Sequence, residues 1–165
     1  MRYAIVYSSR TGNTKQLAEA IQQMLTQEDC VYIGAPSDEA LQADRLYVGF
    51  WTDKGSSSEE ISAFLNHAGE RQVFLFGTAG FGESQQYFDT VLHKAAANLD
   101  PQATLIGSFM CQGKMPMSVR NRYEQLQQEG KMPNAQAMIE NFDKALANPN
   151  AADLTALQDA VRAAQ

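Results

Sequence analysis

The chain has 165 residues, 44% hydrophobic and 19% charged, with 19 acidic against 13 basic side chains and a net charge of -6. That length suits one domain, and the composition excludes a disordered polymer and argues against a nucleic-acid surface, suiting solubility or a basic protein partner instead. No apolar run is long enough to span a bilayer, and MRYAIVYS lacks the layout of a signal peptide, so a cytoplasmic location without membrane contact is expected.

Short apolar runs alternate with amphipathic stretches from the start. YAIVY (3–7) reads as a strand covered on both faces. KQLAEAIQQML follows, placing Leu17, Ala18, Ile21, Met24 and Leu25 on one helical stripe with Asn13 or Thr14 as its cap. CVYIGA (30–35) is a second strand, SDEALQ a short weak helix, and RLYVGFW (45–51) a third strand. SSSEEISAFLNHA carries the S-x-x-E pattern of a capping box at Ser57 and Glu60, with Ile61, Phe64, Leu65 and Ala68 at helical spacing. RQVFLFG is the fourth strand. SQQYFDTVLHKAAANL puts Phe88, Val91, Leu92, Ala95 and Leu99 on one face, and ATLIGSFM (103–110) is the fifth strand.

Five such units predict a doubly wound α/β sandwich with a parallel sheet, whose ligands bind beyond the carboxyl ends of the strands. Beyond Met110 the pattern changes. CQGKMPM is loop-like, Ser118 can cap a helix with Val119, Tyr123 and Leu126, and a further helix from Asn134 aligns Met138, Ile139, Phe142 and Leu146. Asn-Pro breaks it before a last helix with Leu154, Leu157 and Val161. One of these helices is expected to cover the fifth strand and the others to form an appendage. The expectation is a single domain over 1–165, with a core of about 1–130 and a helical extension over about 131–165.

Cys30 and Cys111 match no metal spacing and read as reduced thiols. His67 and His93 lie in helical stretches without partners at ligand spacing, so no metal site is expected. Met110, Met115, Met117 and Met132 read as packing residues rather than as a docking surface.

Three loops gather at one sheet edge. In YSSRTGNT, Ser8, Ser9, Thr11 and Thr14 offer hydroxyls, Gly12 lets backbone amides approach, Arg10 adds charge, and a helix dipole points its positive end the same way. This suits a phosphate monoester; neither a Walker loop nor a G-x-G-x-x-G is present. The alternative is a polar turn with a good cap. FWTDKGSSS exposes Trp51, the only tryptophan, ahead of an Asp53-Lys54-Gly55 turn, and such a ring can cover a flat ligand or simply end a core strand. FGTAGFGES carries Gly77, Gly80 and Gly82 around Phe81, which brings backbone close to a ligand or makes a tight turn.

With S-x-T-G-N-T after the first strand, the chain resembles the flavodoxins over about residues 1 to 110. The resemblance implies a flavodoxin-like five-stranded sheet of order 2-1-3-4-5, with extra C-terminal helices, and FMN as cofactor. It implies that Ser9, Arg10, Thr11, Gly12, Asn13 and Thr14 hold the phosphate. Trp51, Thr52, Asp53, Lys54 and Gly55 then flank the ring system, as do Gly77, Thr78, Ala79, Gly80, Phe81 and Gly82. Family members often stack a tyrosine from the third loop; here Tyr87 falls inside the helix and Phe81 is the substitute.

GFWTDKG, FGTAGFG and SFMCQGKMP also resemble a narrower group of flavodoxins associated with bilirubin reductase. The implied role is electron carriage to a partner reductase, with bilirubin reductase the candidate and no catalytic residue of its own. The rival readings are an FMN-dependent NAD(P)H or quinone reductase, and a flavin-free interaction module. Asp53, Glu59, Glu60 and Glu83 are expected to ring the site and disfavour negative charge on the reduced cofactor.

Overall fold

The computed structural model describes residues 1–82 and 84–165. Five strands, β1 (Tyr3–Tyr7), β2 (Cys30–Gly34), β3 (Arg45–Asp53), β5 (Gln72–Ala79) and β6 (Thr104–Gln112), form a parallel sheet in the order β2-β1-β3-β5-β6. The two-residue β4 (Ser56–Ser57) turns back antiparallel on the end of β3. Leaving β4 aside, the order is the expected 2-1-3-4-5, with its reversal between β1 and β3.

Alternation along the strands sorts the core into two halves, because successive side chains leave a pleated strand on opposite faces. Ala4, Val6, Val73 and Leu75 face one cluster with Ile61, Leu65 and Val91, contributed by α2 (Glu59–Leu65) and α3 (Gln85–Ala96). Tyr3, Ile5, Phe74 and Phe76 face the other with Leu17 and Ile21 of α1 (Asn13–Met24) and Leu157 and Val161 of α6 (Ala151–Ala163). The last helix therefore takes the covering position beside α1 over β6. Its start is fixed by a capping box, Asn150 and Asp153 each bonding the other's backbone N–H at 2.9 Å.

Between β6 and α6 the chain makes an excursion through α4 (Met117–Gln128) and α5 (Ala135–Ala145). These helices pack on each other, with Phe142 and Ala145 fully buried. The Arg120 guanidinium clasps the Asp143 carboxylate through Nε at 2.9 Å and Nη2 at 3.1 Å, and also pairs with Glu124.

The short helix expected over SDEALQ is present as a 3-10 helix, Asp38–Gln42, with Ser37 before it. Several other local expectations are corrected. α2 begins after Ser58, without a side-chain cap; the Ser57 hydroxyl pairs instead with Ser62 at 2.6 Å and Glu60 is engaged elsewhere, so the S-x-x-E box does not form. α4 is preceded by Pro116 rather than capped by Ser118. β3 and β6 each run two residues past their expected ends, because every added residue finds a ladder partner. Among the described residues, no helix is long and apolar enough to cross a membrane.

Candidate functional site

At the carboxyl ends of β1, β3 and β5 lies a cavity of about 340 Å³, within the range of small-molecule sites. The first loop forms one end of it. Gly12 sits at φ +88°, a backbone conformation that glycine adopts without steric cost, and it precedes α1 where Asn13 or Thr14 was expected as cap. Capping comes from upstream: the Ser9 hydroxyl accepts the N–H of Gly12 at 3.1 Å and of Lys15 at 3.3 Å. Thr14 is buried and bonds the Phe50 carbonyl and the Thr78 hydroxyl, so it ties the loop to β3 and β5.

With Ser9 and Thr14 so engaged, the backbone N–H groups of Arg10, Thr11, Asn13 and Thr14 meet no protein acceptor among the described residues. Four such groups at a helix N-terminus form a ready anion site.

Trp51, at the end of β3, is half-buried and lines the cavity. Its indole Nε1 donates to the Ser8 hydroxyl at 3.2 Å, and Ser8 in turn donates to the Glu60 carboxylate. The Arg10 guanidinium lies 5.5 Å from the Trp51 ring centre, at cation–π distance. The next turn is a two-residue hairpin in which Lys54 (φ 51°) and Gly55 (φ 80°) both adopt positive φ, as a type I′ turn requires.

Of the sequence-predicted residues, Arg10, Thr11, Asn13, Trp51, Thr52, Lys54, Gly55, Thr78, Ala79, Gly80 and Phe81 line the cavity. Ser9, Gly12 and Thr14 shape the first loop from behind. Gly77 and Gly82 give clearance, since a Cβ there would strike Phe50 and Gln112 respectively.

Asp53 lies off the cavity, and here the acidic ring is corrected. Asp53, Glu59 and Glu60 line a separate recess that shares Trp51 with the cavity. Among the described residues, the charged ones that line the main cavity are all cations: Arg10, Lys54 and Lys114. Glu83 lies outside the described residues.

The far wall was missed by sequence reasoning. Gly113, Lys114, Met115, Pro116 and Val119 line it, so Met115 faces the cavity instead of serving only as packing. Lys114 O accepts from Asn13 Nδ2 at 2.8 Å and from Thr11 Oγ1 at 3.2 Å, joining this wall to the first loop. Gly80 matters for the same wall, because a Cβ there would meet the Met115 side chain.

Tyr87 is in α3 as expected, yet it reaches the cavity and packs edge-on against Phe81, their ring centres 6.5 Å apart. Burial raises its phenol pKa and keeps it neutral at ordinary pH. Cys111 is buried just behind the wall. Desolvation, with a contribution from Asp153, pushes its thiol far up, which makes it an inert thiol.

The parallel sheet, the turn of open N–H groups after β1 and the aromatic-lined cavity at the switch in strand order define an open α/β protein whose cavity lies where such folds take their ligands. A profile of the flavodoxin domain matches residues 4–162, and the chain belongs to the flavodoxin family. The match takes in the α4–α5 excursion and α6, well past residue 110. The flavodoxin-like domain-containing protein BilS of Clostridium symbiosum (strain WAL-14163) is 40% identical over 179 aligned positions, which cover 96% of this chain and 93% of that one. BilS of Clostridioides difficile (strain CD3) is 28% identical, over 76% of this chain and 74% of that one. Among solved structures, a short-chain flavodoxin associated with a non-canonical PDU bacterial microcompartment superposes with a TM-score of 0.55. It is 17% identical and covers 87% of this chain and 97% of its own. A flavoprotein in complex with FMN from Lactobacillus acidophilus NCFM gives 0.50 at 14% identity, over 66% of this chain and 92% of its own.

Proposed function

We propose that the protein binds FMN in this cavity and carries electrons to a partner reductase, bilirubin reductase being the candidate that the resemblance of GFWTDKG, FGTAGFG and SFMCQGKMP implies. The observation that carries the reading is the set of four open N–H groups at the start of α1, at one end of a cavity walled by Trp51, Phe81 and Tyr87. Family membership and an FMN-bound structural neighbour agree with it.

The donor set suits a phosphate monoester. The N–H groups of Arg10, Thr11, Asn13 and Thr14 would hold its oxygens, with Arg10 beside them, and no metal is required. Trp51 would cover one side of the ring system while Ser8 and Glu60 fix the orientation of its indole. Met115, Phe81 and Tyr87 would limit water on the remaining sides. When bound, FMN supplies the one- and two-electron chemistry, and the protein sets its orientation, electrostatics and access.

Titration of the apoprotein with FMN and with riboflavin tests the reading. FMN fluorescence should be quenched at concentrations at least about tenfold below those needed for riboflavin, since the charged tail carries much of the grip. Equal affinity would remove the role of the first loop, and no quenching of either would remove the function. Reduction of bilirubin by bilirubin reductase, measured with and without the FMN-loaded protein, checks the partner. Steady oxidation of NADH by the purified protein alone would instead assign it as a reductase in its own right.

A further inference from the structure

The molecule as a whole is acidic, yet the described charged residues that line its cavity have the opposite sign. Arg10, Lys54 and Lys114 line the cavity and are exposed to solvent. Lys94, also exposed, brings its ammonium within 3.7 Å of where a Cβ on Gly55 would lie. Among the described residues none of these four forms a salt bridge, and no carboxylate lines the cavity. Among the described residues, Asp53, Glu59 and Glu60 line a separate recess that shares Trp51 with the cavity, and Glu60 is engaged by Ser8. Beside the cations, Phe81 at the cavity and Met117 just beyond Pro116 are 39% and 59% exposed. Apolar contacts bordered by charge of one sign are the make-up of a transient protein-binding face.

We propose that the mouth of this cavity is a docking surface for a protein partner that presents an acidic face. Cations clustered over one opening create a local positive potential despite a net charge of -6, because charges farther away than about 8–10 Å are screened at physiological salt. The surface thus selects a partner opposite to the basic one that the composition suggests. A dianionic phosphate seated at the α1 N-terminus offsets two of the four cations and leaves the mouth positive. The proposal rests on the cavity being the place where electrons leave the protein.

The single tryptophan makes the charge measurable without cofactor. In the apoprotein, iodide should quench Trp51 fluorescence with a Stern–Volmer constant at least about twofold that of caesium, and added salt should shrink the difference. The R10Q/K54Q/K114Q variant should reverse the order, and R10Q alone should move it part of the way. In the FMN-loaded, reduced protein, oxidation by ferricyanide should slow as salt rises, two ferricyanide ions each taking one electron, whereas oxidation by hexaammineruthenium(III) should not.

Caesium quenching as strong as iodide, or an unchanged ratio in the triple variant, overturns the proposal. So does ferricyanide oxidation that is indifferent to salt. Failure to bind FMN with the iodide preference intact overturns the functional reading instead, so the two failures are distinguishable.

Discussion

The first loop and the 113–116 segment meet across one cavity, and they are held in opposite ways. The first loop is shaped from within: Ser9 accepts from Gly12 and Lys15, and Gly12 takes the positive φ that turns the chain into α1. The 113–116 segment is held from outside. Gly113 N donates to Ala79 O at 2.9 Å and Lys114 N to Asn148 O at 3.1 Å. Gln112 and Asn141 both donate to Gly80 O, at 2.9 and 3.1 Å, and Asn148 donates to Gln112 at 3.1 Å. One wall is thus a local motif, and the other is a product of tertiary structure in which the α4–α5 excursion supplies the support. A local wall is damaged by a change within it, a supported wall by a change far from it.

The largest test of this difference removes the remote support. Phe142 is fully buried in α5, next to Asn141; Phe142→Ala should cost about 3–5 kcal/mol, read from denaturant unfolding. The variant should also bind FMN more weakly although residue 142 does not line the cavity. Unchanged affinity in the folded variant would show that the excursion does not support the wall.

A smaller loss should follow from Gly12→Ala. The space around the glycine is open, so the strain comes from φ +88° alone, about 1–2 kcal/mol. Because the strain falls on the N–H groups at the start of α1, FMN affinity should drop much more than riboflavin affinity; an equal drop would mean that the loop does not grip the phosphate.

The smallest effect concerns the clasp between α4 and α5. The Arg120 guanidinium holds the Asp143 carboxyl below its usual range, chiefly by hydrogen bonding and also by charge. A lowered carboxyl contributes stability above its unfolded pKa and loses it as pH falls through the folded value. Melting temperature should therefore decline slightly less on acidification in Asp143→Asn than in the parent. The two should converge once both are acidified, and parallel curves would exclude the contribution.

The same contrast explains what could be read from the sequence. Strand and helix positions follow from the spacing of apolar residues, so the five parallel strands and the helices α1 to α3 were legible, whereas that α6 is the one of the last three helices to cover β6 was not. The first loop was legible because its chemistry is contiguous in YSSRTGNT. Gly113–Pro116 was not, since its role depends on an N–H from Lys114 reaching a carbonyl at Asn148, a pairing that no local pattern encodes. The Ser57–Glu60 box failed for a related reason. A capping pattern is a local offer, and Ser62 and Ser8 took up those two side chains. For the described residues the acidic ring failed because Asp53 of the β3–β4 hairpin and Glu59 and Glu60 of α2 line the neighbouring recess while Lys54 reaches the cavity.

The carbonyl oxygen of Lys114 receives both Thr11 and Asn13 and is the seam where the two walls close. A seam stitched at one atom parts all at once. Widening the chamber from this side means surrendering both stitches together, and because they come from Thr11 and Asn13, whose own N–H groups stand open, a change in the path of the chain at residue 114 reaches the anion site as well.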